Sequence, residues 1–470
     1  MDTKSRTFKQ GVGTKPGPVV QDLLRNDSKV VEAALYERGN CDPEPRMVPF
    51  YYYTDQNFAK LEMQHVWSKC WQVVGREEDI PAIGDRQLYE IGEVSYIIVR
   101  SGENEFRALQ NSCTHRGTRL CHGGASGKSI KCPFHGWEWN LDGSLKNVPS
   151  HWDFPDVSNK THKLPEARIA SWGGYLFINP DPQAGPLAEQ LGILQQHFSA
   201  REGEARFTVA GIRKKLRCNW KVAQEAFFEA YHLLETHWNY KSFNGDTQTS
   251  YDIWDDGKSL VSRLITPSAI PSGHLGDDAS RLQAAQDALK AFASPFPGIE
   301  LPKLQSGEQG RAEIAAWRRQ FMGSALSVDF SKCSDSYMID STQYFMFPNF
   351  WPWFGEGLPL SYQFMPYGSD PNECIFEARL TLPVSDNGPR PPAAELVELD
   401  FDEPASAAPE MGILCDILDQ DFANLPFVQR GLRSCLDPQA AATLGRYQES
   451  RIAAFYNMLE RKIGSAQISE

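Results

Sequence analysis

The sequence predicts an α+β protein in which a small all-β domain precedes a larger domain of helices and strands. Between residues 76 and 180, short β-rich runs alternate with Gly-rich turns, as in small all-β domains. Helical periodicity follows at 185–240 and returns at 411–468. Two strand-like regions, 250–265 and 341–382, lie between these helical segments. Runs of strands and runs of helices that are segregated along the chain are typical of the α+β class.

The remaining segments are assigned by the same criteria. Residues 1–50 form an N-terminal segment of polar and Pro-containing stretches with one helical candidate at 19–38. Residues 276–323 are charged and Ala-rich, with a Pro/Gly break, and predict a helical insertion at about 270–330. The Pro-, Ala- and Asp-rich residues 384–408 predict a loop.

Composition excludes several functional classes. The 470 residues are 41% hydrophobic and carry a formal net charge of −13. This acidic balance argues against a nucleic-acid partner, because phosphate binding needs a basic surface. The polar N-terminus lacks the apolar stretch of a signal peptide, and no run of about 18 apolar residues predicts a membrane span. The ten cysteines are scattered, so we expect a cytoplasmic protein whose thiols are reduced or bind metal.

Two Cys and two His residues form a paired motif. Cys113-x-His115 is followed, sixteen residues later, by Cys132-x2-His135. Each half places a thiolate and an imidazole in a Gly- or Pro-containing loop that can wrap around a metal. Two thiolates suit one iron of a [2Fe–2S] cluster, and two neutral imidazoles suit the other. Tetrahedral zinc accepts the same donor set, although zinc modules more often use C-x2-4-C pairs.

A second set of potential metal ligands lies in residues 219–237, which the pattern predicts to be one helix. Glu229 and His232 are three residues apart and would share a helix face. His232 and His237 are five residues apart, so both reach one metal only if the helix ends, bulges or bends near the second histidine. Two imidazoles and one carboxylate form the facial triad of non-haem Fe(II) oxygenases. Two ordinary histidines on an amphipathic helix are the alternative.

Three segments resemble the signatures of a known family. They are CTHRG (113–117), CPFHGWEWNLDG (132–143) and NWKVAQEAF (219–227). These resemble Rieske non-haem iron oxygenases, and within them the catalytic (alpha) subunits of aromatic-ring-hydroxylating dioxygenases. The resemblance implies a [2Fe–2S] cluster held by the paired motif and a mononuclear Fe(II) held by His232 and His237.

The resemblance also implies roles for two carboxylates. The third iron ligand comes from a C-terminal helix with a pattern like E-D-x7-Q-x-G, in which Asp421 matches the Asp. Gln420 stands where Glu is commoner, and Asp416 and Asp419 are the other candidates. Glu229 stands where most members have Asp. Its implied role is to accept the second ring N–H of the first iron-bound histidine and to join it to a cluster histidine of a neighbouring subunit.

The domain organisation and assembly follow from the same resemblance. It implies a Rieske domain at 51–170 and a catalytic domain at 171–470, in which helices pack over a large antiparallel sheet in the helix-grip fold. The segment 1–50 would pack on the catalytic domain. Members usually form homotrimers, with or without a separate beta subunit. The sequence has no G-x-G-x-x-G and no second iron–sulfur Cys cluster, so electrons from NAD(P)H are expected from a separate reductase, directly or through a ferredoxin.

Aromatic residues suggest the substrate. The run 343–354 is rich in Phe and Trp, and Phe227 and Phe228 adjoin the second motif. Most of these side chains are expected in the core, and the rest are expected to line a pocket for an apolar aromatic or polycyclic molecule. The expected reaction is O2-dependent mono- or dihydroxylation, with oxidative N- or O-demethylation as the alternative within the family. A Rieske protein that only transfers electrons is the alternative of another class, and it leaves the second histidine pair unexplained.

Overall fold

The computed structural model describes residues 19–40, 46–199, 205–275, 280–294, 296, 298–385 and 387–464. Parts of the N-terminal segment, of the Pro/Gly break in the insertion and of the predicted loop at 384–408 therefore lie outside the described residues. In the described ranges, none of the helices combines the length and the apolar character needed to cross a membrane.

Twelve α-helices occur in the described residues. They are α1 (Val20–Arg25), α2 (Ala33–Tyr36), α3 (Tyr51–Thr54), α4 (Gln56–Glu62), α5 (Leu187–Leu191), α6 (Leu194–His197), α7 (Trp220–Phe228), α8 (Arg281–Ala293), α9 (Gly310–Leu326), α10 (Asp335–Ile339), α11 (Leu414–Ser434) and α12 (Ser450–Ile463). The two long helices α8 and α9 pack against each other and form the predicted helical insertion.

Nineteen strands occur in the described residues. They are β1 (Met47–Pro49), β2 (Gln72–Arg76), β3 (Arg86–Ile91), β4 (Val94–Gly102), β5 (Glu105–Gln110), β6 (Ile130–Lys131), β7 (Glu138–Trp139), β8 (Leu145–Asn147), β9 (Glu166–Trp172), β10 (Tyr175–Asn179), β11 (Arg206–Leu216), β12 (Ser250–Asp255), β13 (Leu260–Thr266), β14 (Ser341–Met346), β15 (Trp351–Phe354), β16 (Leu360–Pro366), β17 (Cys374–Pro383), β18 (Val397–Leu399) and β19 (Ala441–Thr443). The short strands β1 and β19 pair with each other. β18 lies in the segment that the sequence predicts to be a loop.

Two sheets form the all-β unit. The larger has six antiparallel strands in the order β2-β10-β9-β5-β4-β3, and the smaller has the order β6-β7-β8. Ile97, Leu109 and Trp139 belong to the apolar core of this unit. The domain end predicted at residue 170 falls inside β9, and β10 continues the sheet to Asn179 because the two strands form a hairpin.

An eight-stranded sheet forms the second unit, in the order β12-β13-β14-β15-β16-β17-β11-β18. Its neighbouring strands run antiparallel, apart from β11 and β18, which are parallel. Helices α7, α11 and α12 contact this sheet. The predicted large antiparallel sheet with helices packed over it is therefore confirmed.

The described part of the N-terminal segment lies against this second unit. Val20, Leu24 and Leu35 from α1 and α2 share an apolar core with Val261 and Ile265 of β13. Burying these side chains removes apolar surface from water, which stabilises the docked segment.

The helix predicted at 219–237 ends early. α7 stops at Phe228, Glu229 is extended (φ −135°, ψ 167°), and a 3-10 turn follows at Tyr231–Leu234. The Glu229 carboxylate accepts the backbone N–H of His232 at 2.9 Å and that of the residue before it. Because this side chain accepts hydrogen bonds from backbone N–H groups at the start of the turn, it favours the turn over continuation of the α-helix. The prediction of one helix to residue 237 is wrong, and the break comes before both histidines.

Candidate metal centres

Two similar loops of the all-β unit carry the paired Cys and His motif. The N–H of Gly117 donates to the carbonyl of Cys113 at 2.8 Å, and the N–H of Gly136 donates to the carbonyl of Cys132 at 3.1 Å. Gly117 has φ 74° and Gly136 has φ 73°, a conformation that glycine adopts without a steric penalty. A glycine four residues after each cysteine therefore closes both loops in the same way.

The loops bring the four predicted cluster residues together. Cys113 and Cys132 are 4% and 2% exposed, and the rings of His115 and His135 are 4.8 Å apart. Burial raises the pKa of the Cys113 thiol, and its hydrogen bond with Cys132 raises it further. The His115 ring stacks on Trp137, and its buried Nδ1 has no hydrogen-bond partner among the described residues. Two neighbouring thiols and a buried imidazole nitrogen without a partner fit an iron–sulfur cluster.

One edge of this centre reaches the surface. His135 is exposed, and the neighbouring Phe134 is 57% exposed. A redox group held by these loops would therefore lie close to solvent and to any protein that docks there.

The second centre joins residues from two distant segments. The ligand atoms of His232, His237 and Asp421 lie within 4.8 Å of one another. Oδ1 of Asp421, on α11, is 3.2 Å from Nε2 of His237 and 3.7 Å from Nε2 of His232. Two imidazole nitrogens and a carboxylate oxygen that face one another match the donor set of a 2-His-1-carboxylate iron site.

Glu229 holds the first histidine. Nδ1 of His232 donates to Oε1 of Glu229 at 2.7 Å. Burial lowers the pKa of His232, but the Glu229 carboxylate outweighs burial and, with Asp421, raises it to about 9. With a proton kept on Nδ1 by Glu229, Nε2 is the nitrogen that can bind a metal.

Gln420 holds the second histidine. Nδ1 of His237 donates to Oε1 of Gln420 at 2.7 Å, while Nε2 of Gln420 donates to Asn239 at 3.2 Å. The sequence marks Gln420 only as a departure from the commoner Glu. Its contact with His237 depends on how α11 packs against the rest of the domain. Its position next to Asp421 in the sequence could nevertheless have indicated that it lies near the metal site.

The two other carboxylates on α11 lie elsewhere. Asp419 accepts the backbone N–H groups of Ala405 and Ser406 at 2.5 and 3.2 Å, so it holds a neighbouring 3-10 turn. Asp416 is exposed. Neither belongs to the group of three potential metal ligands that the described residues form at this centre.

A cavity of about 140 Å³ adjoins the second centre. Most of the exposed area of its wall is apolar, and its apolar residues are Ala226, Phe227, Ala230, Leu233, Leu264, Trp353, Leu358, Leu414 and Ile417. The wall also carries polar side chains, namely Glu229, His232, His237, Tyr240, Asn244, Thr266, Ser341, Gln343, Tyr362 and Asp421. Of the aromatic residues that the sequence nominates, Phe227 and Trp353 line the cavity. Phe228, Phe345 and Trp351 contact one another in the core instead. Sequence reasoning did not nominate Gln343 and Tyr362, which also line the cavity.

Comparison with known protein families agrees with this arrangement. Residues 70–158 match the Rieske [2Fe-2S] domain, and residues 201–465 match the ring hydroxylating alpha subunit (catalytic domain). Fold and sequence thus define a protein that joins a Rieske domain to an oxygenase catalytic domain. The chain belongs to the ring-hydroxylating alpha subunit family of Rieske oxygenases.

Curated relatives include oxygenase subunits that act on aromatic compounds. The chain is 31% identical over 210 residues to chlorobenzene dioxygenase subunit alpha of Cupriavidus sp. (strain PS12), a match that covers 43% of this chain and 46% of the relative. It is 34% identical over 208 residues to the large oxygenase component of salicylate 5-hydroxylase from Ralstonia sp., covering 40% of this chain and 49% of the relative. The chain spans about half the length of the curated relatives it matches.

Solved structures share the fold at low sequence identity. The quaternary ammonium Rieske monooxygenase CntA in complex with L-carnitine aligns with a TM-score of 0.62 and 15% identity, covering 90% of this chain and 97% of that chain. Naphthalene 1,2-dioxygenase from Rhodococcus sp. bound to indole aligns with a TM-score of 0.60 and 17% identity, covering 89% and 94%. The predicted fold class is therefore confirmed.

Proposed function

We propose that this chain is the terminal oxygenase component of a Rieske-type system and uses O2 to hydroxylate a small apolar aromatic molecule. The observation that carries the proposal is the convergence of His232, His237 and Asp421 beside a mostly apolar cavity. A 2-His-1-carboxylate set binds ferrous iron and leaves coordination positions open. When bound, the iron supplies O2 activation and the [2Fe–2S] cluster supplies electrons.

The surrounding residues have defined tasks in this proposal. Glu229 and Gln420 each accept the Nδ1 proton of one histidine, which orients both Nε2 atoms toward the metal position. Asp421 supplies the carboxylate oxygen. The apolar wall keeps water away from the reacting ring.

Cavity size favours a small substrate. A cavity of about 140 Å³ is close to the roughly 150 Å³ that accommodates benzene in an engineered protein. We therefore propose a one-ring substrate in preference to a polycyclic one. Product analysis separates mono- or dihydroxylation from oxidative demethylation.

Electron delivery requires partners. The exposed edge at Phe134 and His135 supports docking of a separate reductase or ferredoxin. Exposed aromatic side chains also flank the second centre, at Tyr231, Trp238 and Phe427. Large exposed apolar side chains are typical of interaction surfaces, and they support a homotrimer in which one subunit's cluster faces the iron of the next.

Iron content and product formation test the function together. We expect three irons per chain and a hydroxylated product that carries oxygen from labelled O2 when reductase and a panel of one-ring aromatic probes are supplied. A protein that only transfers electrons would hold two irons and form no product. Two irons per chain in fully reconstituted protein, with no labelled product from a panel of one-ring probes, would contradict the proposal.

The cluster ligands give a separate prediction. His115→Cys should lower the reduction potential by roughly 100 mV or more, because a thiolate adds negative charge and all-Cys clusters lie several hundred millivolts below Rieske clusters. Redox titration followed by visible absorption measures the change. The matched control is His122→Cys, an exposed histidine between the two loops, which should leave the potential unchanged. A wild-type potential and spectrum in His115→Cys would refute the assignment.

A further inference from the structure

Polar donors interrupt the apolar wall of the cavity. Gln343 on β14 and Trp353 on β15 are directly paired across the two strands, and both line the cavity. Cross-strand partners project from the same face of a sheet, so their side chains are neighbours. The buried Tyr362 adds a hydroxyl to the same wall.

Arg451 fixes the amide of Gln343. Nη1 of Arg451 donates to Oε1 of Gln343 at 3.0 Å. A guanidinium group only donates, so the amide oxygen must face it and the amide nitrogen must point away. Gln343 is 3% exposed and lines the cavity, and its Nε2 has no hydrogen-bond partner among the described residues. The amide N–H2 group, which is turned away from Arg451, is therefore available to a bound molecule.

A positive charge lies behind this amide. Arg451 is 0% exposed, and its hydrogen-bond acceptors are Ser262, the carbonyl of Phe228 and Gln343. No carboxylate within the described ranges forms an ion pair with it. Burial lowers the pKa of Arg451 to about 9, which leaves the group charged at neutral pH. The nearby carboxylate that acts on Arg451 belongs to Asp252, which is itself paired with Arg38 and Arg263. The charge of Arg451 is therefore only partly compensated, and an anion in the cavity would offset part of the cost of its burial.

Trp353 supplies a second donor of the same kind. Its indole Nε1 is buried and has no partner among the described residues. An indole nitrogen donates and cannot accept. Gln343 and Trp353 thus offer two N–H donors without an acceptor, and the positive charge of Arg451 lies behind them.

We propose that the cavity selects a one-ring substrate that carries an anionic oxygen group, in the simplest case a carboxylate, which accepts hydrogen bonds from Gln343 and Trp353. The ring then lies against the apolar wall. This inference rests on the proposed function and narrows its substrate to an apolar ring that carries one anionic group. A hydrocarbon of the same size would leave both donors unpaired, and sites built for hydrogen bonding reject such analogues.

Equilibrium binding to the iron-loaded enzyme tests the inference without turnover. Titration calorimetry with benzoate, acetophenone and toluene compares an anionic acceptor, a neutral acceptor and no acceptor on the same ring. We expect benzoate to bind about 10-fold or more tightly than toluene, with acetophenone between them. Gln343→Leu and, separately, Trp353→Phe should each weaken benzoate binding about 10-fold and leave toluene binding nearly unchanged.

Gln363→Leu is the matched control. Gln363 is a buried glutamine on the adjacent strand β16 that does not line this cavity, so its loss should leave the benzoate-to-toluene ratio unchanged. Equal binding of benzoate and toluene to the wild type, or acetophenone that binds as tightly as benzoate, would overturn the inference. If benzoate binding depends on Gln343 but no aromatic probe is hydroxylated, the inferred class of ligand stands and the proposed function fails.

Discussion

Replacement of Asp421 with alanine is expected to abolish product formation and to leave the visible absorption of the cluster intact. In the proposed iron site Asp421 would supply the carboxylate, and His232 and His237 alone would hold the metal weakly. The loss should exceed the roughly 10- to 100-fold effects typical of outer hydrogen-bond partners of metal ligands. Product yield, iron content and the absorption spectrum of the same sample measure it, with iron falling from three to two per chain.

Asp416→Ala is the control for this variant. Asp416 lies on the same helix, is exposed and takes no part in the triad, so its loss should leave activity and iron content unchanged. Full turnover by Asp421→Ala would transfer the ligand role to Asp416 or Asp419.

Glu229→Gln is expected to lower the rate of electron transfer from cluster to iron by about 10- to 100-fold with both metals still bound. One oxygen of Glu229 accepts a hydrogen bond from Nδ1 of His232, and the other accepts hydrogen bonds from two backbone N–H groups. An amide at this position must turn its own N–H2 group toward either Nδ1–H of His232 or the backbone N–H groups. The substitution also removes the negative charge that raises the pKa of His232. Single-turnover measurement on pre-reduced enzyme follows oxidation of the cluster directly.

Two further variants show whether the effect of Glu229→Gln comes from the lost charge or from a general disturbance of the segment. Glu229→Asp keeps the charge with a shorter reach, so its defect should be milder. Glu235→Gln makes the same chemical change at an exposed position of the same segment and should behave as wild type. If Glu229→Gln oxidises its cluster at the wild-type rate, Glu229 does not connect the two centres.

Much of this arrangement could be predicted from local sequence because metal ligands have fixed chemistry and spacing. C-x-H and C-x2-H place four donors on two loops regardless of the rest of the fold. The helix at 219–237 was predicted too long because periodicity reports which residues are apolar. It does not report that the Glu229 carboxylate binds the backbone N–H of His232 and favours a turn.

The polar part of the cavity wall could not be predicted from the sequence for a different reason. Gln343, Trp353 and Arg451 meet only after strands β14 and β15 pair and α12 packs nearby. Gln343 and Arg451 are more than a hundred residues apart, and neither belongs to a recognisable motif. The sequence does not indicate which polar side chains of an aromatic-rich strand face a cavity, because this depends on how the strand packs.

The docking of α11 contributes two things to the second centre at once: Asp421 as a potential ligand and Gln420 as the partner of His237. Metal occupancy and helix attachment are therefore thermodynamically linked, since a ligand that binds only the docked form shifts the balance toward it. Iron bound at this position would therefore resist local opening of the catalytic domain. Conversely, detachment of α11 from the sheet would remove Asp421 from the metal position and break the hydrogen bond between Gln420 and His237 at the same time. Loss of the metal would therefore be cooperative with detachment of the helix.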